Sequence, residues 1–224
     1  MSNILAISVH PDDETLGCGG TLLKHREKGN KIFWFILTQA NNKKTTSIPN
    51  IVALQKQYVS KVAATYNFED FKQLSFLTTE LDKYPLGEII FEVSKYIGQI
   101  KPSVIYLNFY NDVHSDHRVA FEAVYSCTKN FRYPFIEKIL MYESLSETEF
   151  APAIQNNAFV PNVFVDISPF MEKKLEIMKL FTTEQMDEPF PRAISIIRAL
   201  AGYRGSRAGV KYAEAFIMLL YEKI

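Results

Sequence analysis

One histidine and three acidic residues stand within five positions, His10-Pro11-Asp12-Asp13-Glu14, directly after the apolar run Ile4-Leu5-Ala6-Ile7-Ser8-Val9. Carboxylates packed this closely repel one another unless positive charge or free N–H groups offset them. A helix N-terminus is one such offset, because its unsatisfied amides and positive dipole end favour acidic side chains. A divalent ion is the other. Zinc is held well by neutral imidazole and carboxylate together, and a catalytic zinc keeps three protein ligands so that water can take the fourth position. A second cluster, His114-Ser115-Asp116-His117, follows the apolar run Val104-Ile105-Tyr106-Leu107. Three of the four histidines lie in these two segments, and the fourth, His25, falls in an amphipathic helical pattern that reads as surface. Two turns rich in His and Asp favour one shared metal site over two unrelated helix caps.

The elements around these turns must bring them together. Nearly continuous apolar runs predict strands over Ile4 to Val9 and Lys31 to Leu37, with a helix from about Thr15 to Lys28 between them. A polar loop from Gln39 to Ser47 follows and is expected to rim whatever the strands support. Helices are expected over Val52 to Tyr66, Leu86 to Ile100, Asp116 to Thr128, Pro169 to Phe181, Phe190 to Tyr203 and Lys211 to Tyr221. Strands are expected over Gln73 to Leu77, Ser103 to Asn108, Lys138 to Tyr142 and Val163 to Ile167. Strands alternating with helices imply an α/β fold, a Rossmann-like, doubly wound, mostly parallel sheet in a single domain over 1–224. Such sheets bind ligands outside the carboxyl ends of their strands. Both clusters fall there.

Bulk properties narrow the partner. Twenty-five basic and 25 acidic residues balance to a formal charge of zero, so neither a nucleic-acid footprint nor a polybasic membrane contact is expected. A small-molecule partner is expected instead. Cys18 and Cys127 lie far apart without CxxC spacing and read as reduced thiols in a cytoplasmic protein. No signal peptide is expected at Met1-Ser2-Asn3, and the apolar runs are too short for membrane insertion. Gly17-Cys18-Gly19-Gly20 lacks the spacing of a dinucleotide-binding turn and reads as close helix packing, with Cys18 a small buried hydrophobe.

The string Ser8-Val9-His10-Pro11-Asp12-Asp13-Glu14-Thr15-Leu16-Gly17-Cys18-Gly19-Gly20 and the segment Asp112-Val113-His114-Ser115-Asp116-His117 resemble the LmbE-like, or PIG-L, family of zinc-dependent N-deacetylases. Arg204-Gly205 and the run Gly209 to Phe216 are similar to that family as well. Ser115 stands where the family's second motif usually has Pro. Gln55-Lys56-Gln57-Tyr58 stands where the family often has Arg followed three positions later by Glu, so the substrate contacts made from that helix are not carried over.

Position by position, the resemblance makes His10, Asp13 and His117 the Zn2+ ligands, Asp12 the general base, and His114 the group that stabilises the oxyanion or protonates the leaving amine, in its protonated form. Asp112 and Asp116 are candidates for orienting the histidines through their other ring N–H, or else a loop turn and a helix cap. Arg204, Tyr212 and Glu214 read either as pocket residues or as structural partners of the C-terminal segment. The resemblance implies hydrolysis of an N-acetyl group from an N-acetylglucosamine-type small molecule, and it leans toward a homo-oligomer. Two other readings stay open: an amidase for another sugar or thiol conjugate, and a non-catalytic metal- or nucleotide-binding module. An unligated carboxylate beside the ion, Asp12, speaks against the module.

Overall fold

In a computed structural model that describes residues 1–42, 48–152 and 154–220, with the backbone alone at Asn156, seven strands form one sheet. They are β1 (Asn3–Ser8), β2 (Lys31–Gln39), β3 (Asp70–Leu77), β4 (Val104–Asn108), β5 (Lys138–Tyr142), β6 (Val163–Asp166) and β7 (Ala213–Leu220), in the spatial order β3-β2-β1-β4-β5-β7-β6. The first five pair in parallel, and β7 runs antiparallel between β5 and β6. The described helices are α1 (Asp13–Glu27), α2 (Ile51–Tyr66), α3 (Leu86–Ile100), α4 (Ser115–Ser126), α5 (Met171–Met178) and α6 (Ile194–Ala208).

Alternation along β1 divides the core. Ile4 and Ala6 face a cluster built with α1, α2, α5 and α6, whereas Leu5, Ile7 and Val9 face a second cluster built with α3 and α4. The sheet is therefore covered on both sides, as expected of a doubly wound α/β fold in a single domain. Strand order reverses at β1, which pairs with β2 on one side and β4 on the other. The crevice past the carboxyl ends of β1 and β4 is the place where such sheets hold ligands.

The C-terminal stretch corrects one expectation. Lys211 to Tyr221 reads as a helix, but residues Ala213–Leu220 form β7, and Tyr221 lies outside the described residues. Ala-Glu-Ala-Phe-Ile-Met-Leu-Leu is rich in helix-formers and lacks a period of two, because Phe216 and Met218 pack into one core cluster while Ile217, Leu219 and Leu220 pack against the other. Pairing with β5 and β6 overrides the local preference. His25 is a second correction. It is half-buried rather than a surface residue, between Asn30 and Tyr106.

α1 is broken at Cys18, whose φ of −139° and ψ of 15° are not helical. A broken helix exposes orphan amides and carbonyls that need partners when buried. The N–H groups of Gly20 and Thr21 donate to Glu214 Oε1 at 2.8 Å and Oε2 at 2.7 Å. Lys174 Nζ donates to the Leu16 carbonyl at 2.8 Å and to Glu214 Oε1 at 2.7 Å. A buried ion pair thus caps both sides of the break. Gly17 is required here because an added Cβ would lie 2.2 Å from Tyr142 Cδ2, and the Tyr142 hydroxyl is itself pinned to the Ile7 carbonyl at 2.7 Å. Cys18 and Cys127 are buried and unpaired.

Candidate metal centre and active site

His10 lies just past the end of β1, and Asp12 and Asp13 turn the chain into α1. Asp12 adopts φ 146°, a region that L-residues rarely enter and that costs on the order of 1–3 kcal/mol. Its carbonyl nevertheless accepts the first helical bond of α1, from Leu16 N at 2.9 Å. From the other side, the loop after β4 delivers His114, which caps α4, and His117 on the first turn of that helix. Asn108 at the end of β4 donates to the His117 carbonyl at 2.9 Å and fixes that turn.

The two segments meet. His10 Nδ1 and His117 Nε2 are 3.3 Å apart, and His117 Nε2 is 3.5 Å from Asp13 Oδ2. Single ligand atoms of His10, Asp13 and His117 all lie within 4.8 Å of one another. Asp13 is held by the N–H groups of Val9 and His10, which donate to its Oδ2 at 2.9 and 2.8 Å. Ser144 Oγ donates to its other oxygen at 3.3 Å.

Both imidazoles are oriented from behind. His117 Nδ1 donates to Asp112 Oδ2 at 2.8 Å, and Thr148 Oγ1 donates to the other oxygen of Asp112 at 2.6 Å. His10 Nε2 donates to Asp116 Oδ2 at 3.1 Å, and Asp116 also receives the N–H groups of Thr79 at 2.6 Å and Leu81 at 3.0 Å. Those donors hold the Asp116 carboxyl below its ordinary range even though burial pushes it up. With their protons committed outward, His10 Nδ1 and His117 Nε2 present lone pairs to each other beside a carboxylate. Such a cluster wants positive charge at its centre. Burial disfavours the His117 cation, yet Asp13 and Asp112 together outweigh it and push its pKa up to about 9, so without an ion a proton on Nε2 takes that place. These donors fit a zinc-type ion, with two imidazoles, one carboxylate and a position left for water.

His10, His114 and Asp116 are also close enough to share an ion. That grouping has fewer lone pairs to offer, since Asp116 already accepts three donors and His114 Nδ1 accepts the Asp116 N–H at 3.1 Å.

The same bond fixes the proton of His114 on Nε2. Burial, reinforced by His10, lowers its pKa to about 4. Both effects favour a neutral imidazole at His114, with one N–H to donate. Asp12 is buried, and burial followed by the Glu184 and Asp13 charges raises its pKa well above the ordinary range, partly offset by Arg192. Arg192 Nη1 donates to Asp12 Oδ2 at 3.3 Å and to Glu184 Oε2 at 3.1 Å. His10, Asp12, Asp13 and His114 line one cleft of about 550 Å³, within the usual range for a small-molecule site.

Ala40, Asn41 and Ile48 line the same cleft, while residues 43–47 of the polar loop lie outside the described residues. Gln55 of α2 also lines it and accepts the Ala40 N–H at 2.8 Å. Arg204, Tyr212 and Glu214 do not. Arg204 pairs with both oxygens of Glu143 at 2.8 and 2.6 Å, Tyr212 bonds to Ser168, and Glu214 caps α1. Arg192 and Glu184 are cleft residues that the sequence does not announce: Arg192 sits in an irregular segment that reads as the start of a helix, beyond any recognisable motif.

The family model described as PIG-L, GlcNAc-PI de-N-acetylase, matches residues 5–128, more than half of the chain and both halves of the cleft's histidine set. The chain belongs to the PIG-L family. A diacetylchitobiose deacetylase from Thermococcus kodakarensis is 26% identical over 225 residues, covering 96% of this chain and 82% of the relative. A probable N-acetyl-alpha-D-glucosaminyl L-malate deacetylase 2 from Bacillus anthracis is 21% identical over 194 residues, covering 81% of each chain. In fold, a conserved protein from Thermus thermophilus superposes with a TM-score of 0.78 at 22% identity, covering 100% of this chain and 97% of that one. These PIG-L relatives named for an activity are deacetylases. Among the described residues, no helix is long and apolar enough to cross a membrane.

Proposed function

We propose that this PIG-L protein is a cytoplasmic, zinc-dependent hydrolase that removes the N-acetyl group from an N-acetylglucosamine-type small molecule, as a single domain of that family over residues 1–224. The observation that carries the reading is the meeting of His10 Nδ1, His117 Nε2 and the Asp13 carboxylate at one point, with Asp12 and His114 lining the same cleft. His10, Asp13 and His117 would hold the ion. When bound, zinc supplies a Lewis-acidic centre that polarises the acyl carbonyl and acidifies water.

The remaining work falls to the chain's own groups. Asp12 takes a proton from the attacking water, a role suited by the raised pKa of its buried carboxyl. Arg192 holds that carboxylate in place from the far side. His114 donates its Nε2 proton to the oxygen on which negative charge develops. Asp12 then returns its proton to the departing nitrogen, which leaves acetate and a free amine. The substrate class is supported by the relatives, whose names give diacetylchitobiose and N-acetylglucosaminyl malate as the molecules they act on. The cytoplasmic location is supported by two unpaired thiols.

The test is amine release from a panel of N-acetylated sugars, thiol-sugar conjugates and simple acetamides, with zinc-loaded and metal-stripped protein side by side. Release from N-acetylglucosamine compounds by the loaded protein alone is expected. Equal turnover in both preparations, or none on any sugar, refutes the proposal, and preference for a thiol conjugate moves it to the amidase reading.

A further inference from the structure

A second cleft, of about 580 Å³, opens beside the amino-terminal ends of β4 and β5, whereas the catalytic cleft lies past their carboxyl ends; the two share no residue. One wall is a single face of α1 and its C-cap, where Thr21, Lys24 and His25 are followed at helical spacing by Lys28. The floor is apolar, with Val104, Leu140, Val165 and Met218 from four strands. Lys138 adds a third ammonium group, and among the described residues that line the cleft Asp166 is the one acid. The positive character registers on His25, whose pKa falls to about 4 through burial and then the Lys28, Lys24 and Lys138 charges.

Two residues that line this cleft, Thr21 and Tyr106, carry hydroxyls with no acceptor among the described residues. Thr21 is only 2% exposed, and its Oγ1 has no hydrogen-bond partner among the described residues. Tyr106, 4% exposed, is placed by a chain of fixed donors. The Ser2 N–H donates to Asn30 Oδ1 at 3.1 Å, which leaves Asn30 Nδ2 to donate to His25 Nδ1 at 3.2 Å. His25 must then carry its proton on Nε2 and donate it to the Tyr106 oxygen at 2.9 Å. The phenolic hydrogen is left over, and burial keeps the phenol protonated by raising its pKa. Buried hydroxyls of this kind ask for an acceptor.

We propose that this cleft is a second ligand site that takes an amphiphilic carboxylate. Its two oxygens meet the Thr21 and Tyr106 hydroxyls among the lysine ammonium groups, and its hydrocarbon part lies along Val104, Leu140, Val165 and Met218. A carboxylate is favoured over a phosphate because two single hydroxyls match two oxygens, and because Asp166 at the rim repels a dianion more strongly than a monoanion.

The site is tested with decanoate titrated by calorimetry into the full chain, with decanol and decyl phosphate as comparisons. Decanoate should bind, and decanol and decyl phosphate should bind at least about tenfold more weakly, the loss expected for one charge-assisted contact. Thr21→Val should act in opposite directions on two readouts. It removes a hydroxyl that has no partner in the free protein, so Tm without ligand should rise by roughly a few degrees, while decanoate affinity falls about tenfold. Lys28→Gln, an exposed change, should weaken decanoate without altering Tm. No decanoate binding at millimolar concentration, unchanged affinity in both variants, or equal affinity for decanol overturns the site. Tighter binding of decyl phosphate than of decanoate overturns the carboxylate assignment.

Discussion

Replacing Lys174 with Met tests whether the buried ion pair caps the break in α1. The side chain keeps its length and apolar stem but loses the ammonium group that lies 2.7 Å from Glu214 Oε1 and 2.8 Å from the Leu16 carbonyl. Both partners are almost fully enclosed, with the two side chains 4% exposed each. Lys174→Met therefore leaves a buried carboxylate supported by the Gly20 and Thr21 amides alone, and takes the Lys174 donor away from the buried Leu16 carbonyl. Breaking a buried pair by removing one partner costs about 3–5 kcal/mol. For a chain of this size that corresponds to a drop of roughly 6–20 °C in Tm. Glu214→Gln should cost at least as much, because its NH2 group would face a backbone N–H that now donates to an oxygen. The double variant should lose less than the two single losses added together, since neither charge is then stranded. Urea unfolding of metal-free protein at pH 7 measures all three, with the ion removed so that its own stabilisation does not mask the effect. A Lys174→Met cost below about 1 kcal/mol, or strict additivity in the double variant, would refute the assignment of this pair as the cap of the broken helix.

Four further outcomes are expected. His117→Ala should lose bound zinc while His114→Ala keeps it and loses turnover, as read by metal analysis of the purified variants; equal metal loss would overturn that division of roles. Asp12→Asn should retain zinc and fold yet fall on the order of a hundredfold or more in turnover, the range for a positioned general base; near-normal turnover in the loaded variant would move the proton to another group. Gly17→Ala should destabilise by about 1–3 kcal/mol or more, because its Cβ would sit 2.2 Å from Tyr142 Cδ2, and Tyr142→Leu should recover part of that loss; a neutral Gly17→Ala would show that the ring can move aside. His25 is neutral in the fold, with a pKa near 4 against an ordinary value of 6.5, so the unfolded chain binds more protons between those values and stability falls as pH drops through that window. The loss attributable to His25 by pH 5 is about 2 kcal/mol, read as the difference between wild type and His25→Gln in urea unfolding at pH 7 and pH 5, and an identical pH response in the two would refute it.

The candidate site was legible where chemistry and chain direction coincide. His10 through Asp13 and His114 through His117 each occupy a few consecutive positions directly after an apolar strand, so a parallel sheet that reverses between β1 and β4 has to bring them to one crevice. Groups that act from a distance left no such mark. Arg192 reaches Asp12 across 180 positions of sequence, from an irregular segment before α6, and nothing in its neighbours gives it a period or a motif. The same holds for structure. β5 and the helix α3 follow from runs with clear ends, whereas β7 is hidden because a strand covered on both faces and rich in Ala, Leu and Met looks like a helix until its neighbours are known. Glu214 joins both cases, since it lies on β7, and only the strand assignment turns its carboxylate toward the amides of Gly20 and Thr21. The strand missed from sequence thus supplies the cap that lets α1 break five residues after Asp13. The turn that carries the metal-binding carboxylate in our proposal is in this way tied to the far end of the chain.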